Sequence, residues 1–186
     1  MKPILFNQQM IKAILDNKKH CTRRVVKARI NNELCDVSHC ISTEISTNKD
    51  GNCVNFYDKN GFYAGAAKPP YQVGDIIYVR ETWRICPSGI FCYKAIGDCD
   101  TCSTTGENTF NVKWRPSIHM SKEAARIFLK VTDVRVERVQ DITEEDARKE
   151  GFNSKEEFIK TFLEIYPDCT EESYLWVIEF ERCEKP

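Results

Sequence analysis

Apolar residues between positions 10 and 15 recur with the spacing of a helix. Four of them fall at i, i+1, i+4 and i+5, so they form one apolar stripe on a helical surface. Asn7 precedes the stripe and is a good N-cap residue, and Asn17 near its end tolerates the left-handed backbone that often ends a helix. We therefore predict an amphipathic helix over residues 7–18. The stripe consists of Met10, Ile11, Ile14 and Leu15.

Several later segments have the two-residue period or the β-branched composition of strands. The last of them, "YLWVIEFERC", alternates apolar and charged residues and predicts a half-buried strand. The segment "CVNFYDKNGFYAG" contains the turn signal "KNG" and predicts one hairpin. The other strands are predicted over residues 23–30, 76–83, 90–96 and 127–139.

Two short helices are predicted between the last two strands. In "DITEEDARKEGF", Thr143 is a capping residue, acidic residues precede basic ones, and Gly151 is a suitable end. In "SKEEFIKTFLEIYP", Phe158, Phe162 and Ile165 share one face, which we predict to be the inner one. The proline at the end of that segment stops the helix.

The order of these elements is a helix, several strands, two short helices and a final strand. It lacks the regular alternation of strand and helix that a doubly wound sheet requires. We therefore predict an α+β fold in which a small mixed β-barrel is flanked by short helices. A length of 186 residues suits one domain. We expect a single domain over residues 1–186, with insertions or loops at residues 31–69 and 96–111.

The composition is that of an ordinary globular protein, with 41% hydrophobic and 30% charged residues. A formal net charge of -1 argues against a protein that coats nucleic acid by bulk electrostatics, so any such contact needs a local patch. No apolar run reaches the roughly 20 residues that a membrane span requires. The first residues also lack the pattern of a signal peptide. We expect a cytoplasmic protein without a membrane partner.

The chain has ten cysteines, which in the cytosol are free thiols or metal ligands more often than disulfides. Cys99 and Cys102 in "CDTC" have the spacing of a zinc knuckle, but a structural zinc needs two more ligands. No second CxxC pair exists, although Cys86 and Cys92 precede this one. We expect free thiols and no cofactor, with a structural zinc at Cys99 and Cys102 as the alternative.

The segment "NKKHCTRRVV", residues 17–26, is unusually basic. Six Lys and Arg residues fall between Lys18 and Arg29, with no acid among them. Two explanations are open. The charges can be solvated ones at a helix C-terminus, where cations are favourable, and Lys18 and Arg23 fit that description. Alternatively, the segment forms a site for an anion or a nucleotide.

The segment "NKKHCTRR" resembles the signature of the ASCH domain family, a Gly-x-Lys followed after four residues by Arg. Lys19 and Arg24 occupy the Lys and Arg positions, and Asn17 stands where the family prefers Gly. Three later segments add to the resemblance, which is to the longer ASCH proteins common in phages and prophages. It implies a PUA-like β-barrel. These segments are "YQVGDIIYVRETW", "LKVTDVRVERVQDITEEDARKEGF" and "YLWVIEFER".

The resemblance also implies two kinds of function. The family includes proteins inferred to bind RNA, and small bacterial amidohydrolases that deacetylate 4-acetylcytidine nucleosides. The working residues of those enzymes match Lys19, Thr22 and Glu150 in this chain. A lysine with neighbouring cations can act as a base or nucleophile, a threonine can supply a hydroxyl, and a glutamate can relay a proton. Arg24 can hold an anionic group or a base edge.

Two other segments contribute candidate ligand-binding residues. "VRETW" brings Arg80, Glu81 and Trp83 to the end of a strand, where they suit either a nucleobase pocket or a salt bridge beside a half-buried Trp. "WRPSIHM" carries residues that can face the opening of the same pocket and contact a phosphate there, or can belong to a solvated loop. They are Arg115, Ser117 and His119.

These observations lead to a prediction with three alternatives. We expect a module that binds RNA, a nucleotide or a modified nucleoside in a basic cleft. The first alternative is an amidohydrolase of acylated nucleosides that uses Lys19, Thr22 and Glu150. The second is an adaptor that acts through residues 31–69. The third, a nuclease, lacks an evident cluster of metal-binding carboxylates. The predicted cleft is lined by Lys19, Thr22, Arg24, Glu81 and Glu150.

Overall fold

The structure is a computed structural model that describes residues 1–48, 51–86, 89–97 and 113–186. The chain divides into two compact units, and the prediction of a single domain stays a prediction. Unit 1 comprises Met1–His20, Gly74–Lys130 and Phe180–Pro186. Unit 2 comprises Cys21–Val73 and Val131–Glu179.

The predicted α+β class, with a mostly β, barrel-like arrangement flanked by short helices, is confirmed. No helix in the described ranges is long and apolar enough to cross a membrane. The helices are α1 (Gln8–Leu15), α2 (Glu144–Glu150) and α3 (Lys155–Ile165). The strands are β1 (Lys2–Leu5), β2 (Cys21–Val25), β3 (Arg29–Ile30), β4 (Glu33–Leu34), β5 (Ser42–Asn48), β6 (Gly51–Tyr57), β7 (Tyr63–Ala67), β8 (Ile76–Arg80), β9 (Trp83–Ile85), β10 (Phe91–Tyr93), β11 (Phe128–Arg138) and β12 (Tyr174–Cys183).

Unit 1 contains the first helix, as predicted from the apolar stripe. The side chain of Asn7 accepts a hydrogen bond from the backbone N–H of Met10 at 2.8 Å, which caps α1. Ile11 and Ile14 are buried, and Asn17 has a φ of 57° just after the helix. The stripe, the cap and the left-handed Asn17 are therefore confirmed, although α1 ends earlier than predicted.

The strands of unit 1 surround an aromatic core. β8 pairs in parallel with β1 and antiparallel with β11, and β9 pairs antiparallel with β10. Alternate residues of a strand point to opposite faces, so the inward residues of β8, β9 and β11 meet. Tyr78, Trp83 and Phe128 pack there with Met120 and two alanines.

Unit 2 contains a five-stranded antiparallel sheet in the order β4-β3-β7-β6-β5. The predicted hairpin is its β6–β7 pair, where the carboxylate of Asp58 accepts from the N–H groups of Asn60 and Phe62. Residues 31–69 therefore contain more strand than the sequence indicated, and β5 was not predicted. Residues 98–111 of the second predicted insertion lie outside the described ranges.

The predicted strand over residues 23–30 is two strands in different sheets. β2 pairs with β12, whereas Arg29 on β3 pairs with Ala66 on β7. A turn of Asn31 and Asn32, with φ of 50° and 68°, joins β3 to β4. Two residues with positive φ suit a tight hairpin because their twist matches that of the strands. The "NN" pair was the sequence signal for this turn.

The two later helices of unit 2 pack on β12. Thr143 caps α2, and Gly151 follows it in the left-handed conformation, with a φ of 94°, as predicted. Phe158 and Phe162 on α3 are buried against Leu175 of β12. Ile165 was predicted on the same inner face, but it is 54% exposed, so that part of the prediction is wrong. It is the last residue of α3 and lies about one turn after Phe162, beyond the part of the helix that packs on the core.

We predict that Phe162→Ala lowers the free energy of unfolding by about 3–5 kcal/mol, because it opens a cavity in this core. The matched variant Ile165→Ala removes an exposed side chain and should cost about 0.5 kcal/mol or less. Urea denaturation measures both values. Equal costs for the two variants would contradict the packing described for α3.

Candidate functional site

The guanidinium of Arg23 on β2 is buried among carboxylates in unit 2. Its side chain is 1% exposed. Nη2 donates to Glu137 at 3.1 Å and lies 3.8 Å from Asp146, and Nη1 donates to Glu150 at 3.5 Å. Burial by itself would lower the pKa of Arg23, but the neighbouring negative charges, Glu150 foremost, raise it. Arg23 is therefore a structural cation, and its description as a solvated charge is wrong.

The carboxylates around Arg23 belong to a wider network. Glu137 also accepts from Arg135 Nε at 2.6 Å, and Arg135 Nη1 contacts Asp133 and Glu179. Asp146 accepts from the hydroxyl of Thr143 at 2.7 Å. Although burial opposes the shift, this hydrogen bond and the charge of Arg23 lower the pKa of Asp146. The network joins β2, β11, β12 and the first turn of α2.

Thr22 and Arg24 flank Arg23 and form a second polar pair. Arg24 Nη1 donates to Thr22 Oγ1 at 2.8 Å and to the carbonyl of Arg23 at 3.0 Å. Residues i and i+2 of a strand share a face, so this pair and Arg23 leave β2 on opposite sides. Across the strand pair, Arg24 stands opposite Trp176 of β12.

Arg24 lines a basic pocket in unit 2 with a volume of about 420 Å³. Lys27 and Lys68 are its other cations, and both are exposed. Trp176 and Tyr71 are buried aromatic residues of its lining, and Tyr166 is half-buried. We call this site the basic pocket. It is lined by Arg24, Val25, Lys27, Lys68, Pro70, Tyr71, Tyr166 and Trp176.

The three residues matched to the family enzymes are all buried, one of them in unit 1 and two in unit 2. Lys19 in unit 1 is 2% exposed, and its Nζ lies 5.8 Å from the ring centroid of Phe6. Thr22 and Glu150 in unit 2 are 1% and 4% exposed. Lys18 differs from its neighbour, since its side chain is 75% exposed beside Asp16. The predicted cleft combines residues of both units and stays a prediction.

In unit 1, Glu81 is held by a buried, bidentate ion pair. Its carboxylate oxygens accept from Nε and Nη2 of Arg126 at 2.8 and 2.9 Å, and Glu81 is 1% exposed. The guanidinium of Arg126 also lies 4.2 Å from the ring centroid of Tyr93. This geometry favours the salt-bridge alternative for Glu81 over a hydrogen bond to a base, because both oxygens have a partner.

The other candidates from "VRETW" and "WRPSIHM" come together in unit 1. Arg115 lies over the ring of Trp83 at 5.1 Å, and the two residues also pair through their backbones. Trp83 is 5% exposed, so its ring packs in the core instead of being half-buried. Arg80 donates to the carbonyl of Ile118, in the turn Ser117–His119. Ser117 is half-buried, whereas Arg115 and His119 are exposed.

The cysteines in the described ranges are free thiols. Cys86 and Cys92 are buried and pack against Trp114. Cys99 and Cys102 lie outside the described ranges, so the zinc alternative stays untested there. Within the described ranges, the structure contains no group of three or more His, Cys, Asp or Glu residues that could hold a metal ion.

Comparison with solved structures gives a distant similarity. The chain is similar to a crystal structure of protein EF3133 from Enterococcus faecalis V583, of the family model DUF984. The sequences are 10% identical, the match covers 99% of this chain and 82% of that chain, and the TM-score is 0.46. No family model matches this chain, and no curated protein matches it.

We predict that Arg23→Met lowers the free energy of unfolding by about 3–5 kcal/mol, because it removes the buried cation that Glu137, Asp146 and Glu150 share. Lys18→Met removes the same charge from an exposed position five residues earlier and should cost about 0.5 kcal/mol or less. Urea denaturation near neutral pH measures both. An Arg23→Met variant as stable as the wild type would show that the carboxylates do not depend on this guanidinium.

Proposed function

We propose that this protein binds a nucleotide-containing ligand, in RNA or as a free or modified nucleotide, through the basic pocket of unit 2. One observation carries the proposal. Three cations and three aromatic residues line the same pocket, and its volume of about 420 Å³ lies within the range of roughly 300–1,000 Å³ that is usual for ligand sites.

The chemistry of the pocket suits the two halves of a nucleotide. Lysine and arginine attract phosphate, and the planar guanidinium of Arg24 can contact two phosphate oxygens at once. Lys27 and Lys68 are exposed, so they can reach a ligand without first being uncovered. The aromatic residues offer surfaces on which a base can stack. Arg24 also keeps a hydrogen bond to Thr22, which orients it.

We also propose that the chain is an ASCH-type protein with a PUA-like fold. Its support is the ordered set of segments found in the sequence, together with an α+β architecture rich in mixed strands. Arg24 is the Arg of the basic signature and also lines the basic pocket. The same residue thus connects the resemblance with a site for an anionic ligand.

We predict that Arg24→Ala and Lys68→Ala each weaken the binding of a short single-stranded RNA by roughly three- to tenfold, because each removes a phosphate contact. Each variant should also reduce the slope of log affinity against log salt by roughly 0.7. Fluorescence anisotropy over a salt series measures both quantities. The matched control is Lys18→Ala, which removes an exposed charge that does not line the pocket.

Lys18→Ala should leave the affinity within twofold of wild type. If all three variants behave alike, the RNA is held by general surface charge. If none of them changes the affinity, the basic pocket is not the binding site. Either result removes the support for the proposed function.

A second candidate function is amidohydrolysis of a 4-acetylcytidine-type nucleoside by Lys19, Thr22 and Glu150. Its support is the burial of all three residues, since lysine and glutamate are rarely buried without a specific role. In this reaction, water adds to the acetyl carbonyl, the amide C–N bond breaks, and cytidine and acetate leave. Glu150 also pairs with Arg23, so a structural role competes with the catalytic one.

For this candidate we predict release of cytidine from 4-acetylcytidine by the wild-type protein, and a loss of at least roughly 100-fold in rate with Lys19→Met. Methionine keeps much of the length of lysine without the amine. Lys18→Met is the control and should leave the rate unchanged. The assay separates substrate and product by chromatography. Absence of turnover at high protein concentration would exclude the candidate, and so would equal rates in the two variants.

A further inference from the structure

An apolar pocket shares part of its wall with the basic pocket. It has a volume of about 410 Å³, and Tyr71 and Trp176 line both pockets. Apolar side chains form much of its remaining wall, and Val73 is 64% exposed at this site. These side chains include Val54, Pro69, Val73, Val134 and Val136.

The apolar pocket is unsuited to phosphate. Arg135 is the cation of its lining, and the guanidinium already contacts Asp133, Glu137 and Glu179. Three carboxylates around one guanidinium leave no positive charge in excess. An uncharged planar group, with the size and polarity of a nucleobase, therefore fits this pocket better than an anion does.

A third pocket adjoins both of the others, since it shares two lysines with the basic pocket and Cys53 with the apolar pocket. Its volume is about 390 Å³, and it shares Lys27 and Lys68 with the basic pocket. It adds Arg29, which is exposed on β3. The two pockets together thus present four cations, Arg24, Lys27, Lys68 and Arg29, which is more positive charge than a single phosphate requires.

We infer that the three adjoining pockets form one groove for a single-stranded oligonucleotide, with a base in the apolar pocket and successive phosphates in the basic and third pockets. This inference rests on the proposed function and adds the class of ligand and its orientation to it. Charge complementarity selects this occupant. A mononucleotide would make no contact with Arg29, and an acidic peptide would leave the apolar pocket empty.

The length of the ligand provides the first test. We expect tri-uridylate to bind at least roughly tenfold more tightly than uridine 5′-monophosphate, because it reaches one further cation and base surface. Arg29→Ala should weaken the binding of tri-uridylate by roughly three- to tenfold and should change the affinity for uridine 5′-monophosphate by less than about twofold. Lys59→Ala, an exposed lysine of unit 2 outside the pockets, is the matched control. Isothermal titration calorimetry at fixed salt measures each affinity.

The second test locates the base. Val73→Asn makes the apolar pocket polar without adding charge, and Ile41→Asn makes the same change at another residue that is 64% exposed. We expect Val73→Asn to weaken the binding of uridine 5′-monophosphate by roughly three- to tenfold, because the base loses apolar contact. Ribose 5-phosphate has no base, so its affinity should stay within twofold. Ile41→Asn should change neither ligand.

The outcomes separate the groove from the pocket. Suppose that Arg24→Ala weakens the binding of uridine 5′-monophosphate, but that tri-uridylate binds no more tightly than uridine 5′-monophosphate. The proposed groove is then wrong, and the basic pocket remains the binding site. Equal effects of Arg29→Ala and Lys59→Ala also overturn the groove. If a poly-glutamate peptide binds as tightly as tri-uridylate, the occupant is not a nucleic acid. If no phosphate-bearing ligand binds at all, the proposed function fails together with the groove.

Discussion

The side chain of Arg23 lies inside unit 2, and a buried guanidinium is tolerated only where carboxylates and hydrogen bonds replace water. Glu137, Asp146 and Glu150 supply them from β11 and α2. These acids must be brought to one point from segments more than a hundred residues away along the chain. Helix α2 supplies two of the three, with Asp146 in its first turn and Glu150 at its last residue.

The buried Arg23 also determines what the other side of β2 can do. Because Arg23 leaves the strand on one side, Thr22 and Arg24 leave it on the other, and Arg24 reaches the basic pocket beside Trp176. Lys27 and Lys68 of that pocket are exposed to solvent, while its aromatic residues Tyr71 and Trp176 are already buried. A preformed wall of this kind loses little conformational entropy when a ligand binds.

Local patterns in the sequence were sufficient for much of the fold. The capped helix α1, the long strand β11 and the caps of α2 depend on residues within a few positions of one another. The burial of Arg23 was not predictable in this way, since its partners lie 114 and 127 residues away. The basic pocket was only partly predictable. Arg24 belongs to a recognisable signature, whereas Lys68 and Tyr71 lie in the connection that follows β7, which only the folded chain brings near Arg24.

The most direct test of this account is to map where a nucleotide binds, by nuclear magnetic resonance on isotope-labelled protein. The account predicts that uridine 5′-monophosphate shifts the backbone amide signals of Val25, Lys27, Lys68 and Tyr71, with saturation at a common dissociation constant. Signals of exposed residues outside the pockets, such as Lys18 and Lys59, should stay in place. Shifts confined to residues of unit 1, or no saturable shifts at all, would contradict the assignment of the ligand to the basic pocket.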